Sequence, residues 1–141
     1  MLRRSLGLAV AFTLALSASA LAAAEPGSYS GASSNNEIYR YGDIEPRTDQ
    51  GKVTFSVTSK AVVTFKLSGQ EIMCGASPYV VPVTVAKIKL NSSGHGKGTY
   101  TNPDVGAFKV AIKVTSTGRA SGTVTPDGLC SGVLQFSATR R

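Results

Sequence analysis

From residue 52 onward the chain alternates apolar and polar residues with a period of two. Val53, Phe55 and Val57 alternate with Thr54, Ser56 and Thr58, and Val63, Phe65 and Leu67 with Thr64, Lys66 and Ser68, which predicts two strands each buried on one side. Ser59-Lys60 is short enough to turn them into a hairpin. Residues 79–90 form a β-branched run that Pro82 interrupts, so residues 83–90 are expected to pair, with Ala86, Ile88 and Leu90 inward. Asn91-Ser92-Ser93-Gly94 signals a turn, and residues 95–101 a return strand with Gly96, Gly98 and Tyr100 at alternate positions. Phe108, Val110, Ile112 and Val114 alternate with Lys109, Ala111, Lys113 and Thr115, the clearest strand of all. Ser116-Thr117-Gly118 fits a three-residue hairpin loop with Gly118 left-handed, pairing Val114 with Ala120 and Ile112 with Gly122. Pro126-Asp127-Gly128 predicts another turn, and Leu134, Phe136 and Ala138 the buried side of a last strand.

The first residues follow different rules. Arg3 and Arg4 precede a short apolar core at residues 6–16 and a small-residue tail at 17–24, the form of a secretion signal cut after Ala22 or Ala24. The expected product is secreted, with no cysteine at the cut to take a lipid and no later apolar run near the roughly 20 residues of a membrane span. Residues 25–51 are rich in Gly, Ser, Asn and Pro and predict a loop-rich N-terminal arm with one short strand near Tyr29. Residues 52–141 form the expected β domain. No segment after residue 24 has helical period, so the expected fold is all-β: a single antiparallel β-sandwich, with a small β-barrel as the alternative that pattern leaves open.

Cys74 and Cys130 are the only cysteines. In an exported protein an even pair predicts a disulfide, and the long loop it closes gives roughly 4 kcal/mol in the chain-entropy model. A metal or redox role would need C-x-x-C spacing or histidine partners, and neither is present. The formal net charge is +7 and it is unevenly spread: residues 25–71 carry five basic against six acidic side chains, whereas residues 72–141 carry eight basic against Asp104 and Asp127 alone.

The motifs that suggest chemistry fail on inspection. Gly94-His95-Gly96-Lys97-Gly98-Thr99 has the look of a phosphate loop, but Gly98 stands at the Ser/Thr position and no helix follows. Its alternate glycines instead leave one face of a strand bare for close approach. His95 is the only histidine, and without a G-x-S-x-G elbow or an orienting partner it makes a poor general base. Glu37, Asp43, Glu45 and Asp49 match no EF-hand loop, and a glycosidase needs a larger cleft than 117 residues without Trp readily build. The expectation is no enzyme, no catalytic residue, no cofactor and no metal.

Two surfaces remain as candidates. Lys87, Lys89, Lys97, Lys109, Lys113 and Arg119 all alternate with the apolar side of successive strands, predicting one outer cationic face with only Asp104 as acidic neighbour. Such a face suits an anionic cell-envelope polymer, a lipid headgroup or nucleic acid, although no aromatic is there to stack on bases. Tyr29, Tyr39 and Tyr41 suit a partner platform or a cap on the core. Asn91-Ser92-Ser93 also matches a glycosylation sequon.

The terminal run Cys130-Ser131-Gly132 with Phe136, Ala138 and Arg140, together with Gly27-Ser28-Tyr29-Ser30-Gly31 and Val53-Thr54-Phe55-Ser56-Val57, resembles a loose group of uncharacterised small exported proteins of high-GC Gram-positive bacteria. This chain departs from the group at Phe136, where Trp often stands, and in a longer stretch at 32–50. The resemblance implies a β-sandwich-like exported domain and carries over no catalytic residue. The functional expectation is a non-catalytic extracellular or envelope-associated binding or accessory protein. Its alternative is a secreted inhibitor or effector acting on another extracellular protein through the arm at 39–50.

Overall fold

The computed structural model describes residues 23–35, 50–80 and 82–141. Within them the chain is all strand and turn: β1 (Gly27–Asn35), β2 (Gly51–Val57), β3 (Ala61–Ser68), β4 (Glu71–Cys74), β5 (Ser77–Val80), β6 (Val83–Lys89), β7 (His95–Asn102), β8 (Gly106–Val114), β9 (Arg119–Gly128), β10 (Cys130–Ser131) and β11 (Leu134–Arg140). Eight of them form one antiparallel sheet in the order β6-β3-β2-β1-β11-β9-β8-β7, and β10-β4-β5 form a small second sheet. The large sheet curls until its edges β6 and β7 face each other. Of the two expected architectures, the nearly closed barrel describes it.

The closing seam depends on the alternate glycines. A Cβ on Gly98 would stand 2.8 Å from Cγ1 of Ile88, and one on Gly96 would stand 2.6 Å from the Lys89 carbonyl oxygen. Bare backbone on β7 therefore lets the side chains of β6 settle against it. The core inside is aromatic along one row. Tyr29 stacks on Phe55 with centroids 5.1 Å apart, Phe55 lies 5.9 Å from Phe65, and Phe65 lies 5.3 Å from Phe136. One polar pair is buried with it: Ser33 Oγ donates to Gln70 Oε1 at 2.7 Å, an oxygen that also accepts from the Gly51 amide.

The strong hairpin holds to the residue. Val114 pairs with Ala120 and Ile112 with Gly122, and Gly118 has a φ of 73°. Cys74 and Cys130 are disulfide-bonded and stand directly opposite each other on β4 and β10.

Three expectations change. The stretch expected as a loop-rich arm supplies β1, a nine-residue strand between β2 and β11 in the middle of the sheet. The inward residues of β3 and β6 shift phase, because Thr64 and Phe65 together oppose Phe55 in a β-bulge. Val62 takes the buried place expected of Val63, and on β6 Val85 and Ile88 are buried while Ala86, opposite the bulge, is exposed. The turn expected at 126–128 is instead the end of β9, which pairs with β8 through Gly128. Pairing with β11 stops at Val124, so on that side Pro126 has no ladder to break.

Candidate functional site

The six predicted cationic residues are all exposed, but the fold divides them. Antiparallel pairing of β7, β8 and β9 lines up two cross-strand rows on the outer face, His95–Lys113–Ser121 and Lys97–Ala111–Thr123. With Lys89 at the end of β6, these rows border an open groove of about 660 Å³. The small side chains Ala111, Ser121 and Thr123 leave its middle low, and Lys89, Lys97, Lys113 and His95 supply the charge and donors around it. The groove therefore collects three of the six predicted cations.

The other three stand apart. Lys109 occupies the next row, between Thr99 and Thr125, and its Nζ lies 3.0 Å from the Asp127 carboxylate. This corrects the expectation that Asp104 alone accompanies the cationic face. Asp127 lies in β9 rather than in a turn, and that place carries it alongside Lys109. Lys87 sits opposite Val63 on the β3 side of β6, and Arg119 pairs with Thr139 near the β8–β9 turn.

His95 lies directly opposite Lys113. It opens β7 beside a turn built on Asn91, whose side-chain oxygen accepts from the amides of Ser93 and His95 at 3.0 and 2.9 Å. That Asx-type turn fixes the start of the strand and so the position of the imidazole. Local sequence marks His95 only as a turn residue, because the pairing that sets it beside Lys113 is between strands.

Tyr29 is buried rather than displayed on the surface. It is 2% exposed, stacks on Phe55 and donates its hydroxyl to the Glu25 carbonyl at 2.8 Å, so it caps one end of the core. Tyr39 and Tyr41 lie outside the described residues, as do the four acidic residues at 37–49 and residues 1–22 of the expected secretion signal. The described residues contain no group of three or more His, Cys, Asp or Glu placed to hold a metal ion. They contain no helix long and apolar enough to cross a membrane.

Comparison with protein-family models, with curated proteins and with solved structures gave no match.

Proposed function

We propose that this chain is an exported, non-catalytic binding module that holds a linear anionic polymer of the cell envelope in the groove across β7, β8 and β9. One observation carries the reading: Lys89, Lys97 and Lys113 converge on one groove, while the neighbouring acid, Asp127, is taken up by Lys109. Three lysines that make no salt bridge with a described residue, set around a shallow trough, attract a polyanion at long range and release its counterions on contact. The floor of Ala111, Ser121 and Thr123 admits a chain without selecting a base or a flat ring.

Retention on immobilised poly(glycerol phosphate) as a function of salt tests the proposal. The variant Lys89→Gln/Lys97→Gln/Lys113→Gln is expected to bind at least tenfold more weakly and to lose about two to three units of log–log salt slope, near one per lost contact. Lys109→Gln/Asp127→Asn, which removes the neighbouring ion pair whole, is the control and should bind as the parent does. Equal retention of the triple variant would end the proposal.

A second reading, a secreted inhibitor or effector that grips another protein, draws on the small sheet. Tyr79 and Val80, exposed large apolar residues, lie on its edge strand β5, and Leu129 and Val133, also exposed, flank β10. It requires a stoichiometric protein complex that is insensitive to salt.

A further inference from the structure

Away from the groove, the outer face of β1, β2 and β3 holds a second depression of about 270 Å³. Two hydroxyl rows cross it. Lys66, Thr54 and Ser30 form the first. Ser56 and Ser28 form the second, which ends on Arg141, whose amide donates to the Ser28 carbonyl. The two cations thus stand at opposite ends of a bed of hydroxyls, and no acidic side chain among the described residues lines it. Neither cation makes a salt bridge with a described residue. Arg141 donates one guanidinium N–H, from Nε, to Ser30 Oγ, which anchors the side chain and leaves donors to spare.

Thr64 borders this cleft with a φ of 53°. A β-branched side chain in the left-handed region is strongly disfavoured, and glycine or asparagine would meet the same bulge geometry without strain. Bulges recur beside binding sites because they re-aim a side chain. At Thr64 the strain holds a hydroxyl at the rim of the cleft, a placement the bulge itself does not require.

We propose that the Thr64 cleft is a second binding site, for a single phosphate or sulfate group carried on a small hydroxylated molecule. Arg141, held against Ser30, takes the oxyanion, and the serine and threonine hydroxyls with Lys66 at the far end take the rest. The volume is roughly that of nine waters, the size of a small sugar or polyol phosphate. This site is independent of the polymer groove and stands if that reading fails.

Amide chemical shifts of the 15N-labelled protein, titrated with inorganic phosphate, glycerol 1-phosphate and uncharged glycerol, provide the test. Both phosphates are expected to give saturable shifts at Ser28, Ser30, Thr54 and Thr64, with glycerol 1-phosphate the tighter, and glycerol alone to give none. The variant Lys66→Gln/Arg141→Gln should weaken saturation at least tenfold. Thr64→Gly should raise the thermal midpoint yet weaken glycerol 1-phosphate at least threefold, and Thr64→Ser should restore the affinity. The groove variant with Lys89, Lys97 and Lys113 replaced should leave the cleft titration unchanged. Shifts that never saturate, or that spread evenly over every lysine-bearing face, would overturn the site. Parent-like affinity in Thr64→Gly would overturn the role of Thr64.

Discussion

Gly98 of β7 and Ile88 of β6 are packed so closely that 2.8 Å would separate an added Cβ from the Ile88 Cγ1. Because this contact joins the two edges of the large sheet, filling it is expected to force β7 outward. Gly98→Val should destabilise by about 1–3 kcal/mol, the range for overpacking. Its urea midpoint should fall, and Ile88→Ala added to the same chain should recover part of the loss. A wild-type midpoint in Gly98→Val would mean that the seam is looser than the geometry makes it.

The aromatic row makes a sharper claim on stability. Phe136 is buried against Phe65 at 5.3 Å, and Phe136→Ala is expected to cost about 3–5 kcal/mol. Chemical denaturation measures it directly. Ser137→Ala, whose side chain is on the exposed side of the same strand, should change little.

Cys74 and Cys130 lie 56 residues apart in sequence. The protein should take up no thiol reagent until reduced, since no free cysteine is present among the described residues. Cys74→Ser/Cys130→Ser is expected to lose about 4 kcal/mol, the entropy of the long loop restored to the unfolded chain. An unchanged midpoint in that variant would show that the small sheet folds independently of its bond.

Tyr29 predicts an alkaline limit. Burial raises its pKa above the ordinary 10.0, the Glu25 carboxylate adds to the rise, and Arg140 opposes it. The unfolded chain therefore gives up this proton at lower pH than the folded one. Stability linked to Tyr29 is full below pH 10 and is lost as pH rises through the folded value. Tyr29→Phe should lose about 0.5–1.5 kcal/mol at neutral pH with its hydrogen bond to the Glu25 carbonyl. Above pH 10 its midpoint should fall less steeply than the parent's, and parallel curves would assign the alkaline loss to another group.

Which parts of this fold were legible depends on whether the signal is local. The β8–β9 hairpin was readable at its turn and first pairs, because its register is set there by three residues ending in Gly118 and by alternation on both sides, but its far end at 126–128 read as a turn. β1 was not, because its inward residues after Tyr29 are Gly31 and Ser33. A Cβ on Gly31 would collide with the backbone of β11, so close strand approach selects small residues and erases the hydrophobic signal. The phase slip at Thr64 was equally hidden: Thr64 and Phe65 share one partner, Phe55, and a bulge is a property of two strands. The lysines were legible as an outward set from alternation alone. Their division into a groove of three, with Lys109 held by Asp127, rests on cross-strand neighbours that no single segment specifies.

The seam between β6 and β7 has side chains and bare glycine backbone across it and no ladder of hydrogen bonds. The wall of the cylinder is thus a split ring, and a split ring opens at its slit. Amides along that line should exchange with solvent before those of β1 or β11, which are laddered on both sides. Lys89 stands on one lip of the slit and Lys97 on the other. A molecule lying across both would work as a splint, and its arrival would register as a stiffening of the whole wall.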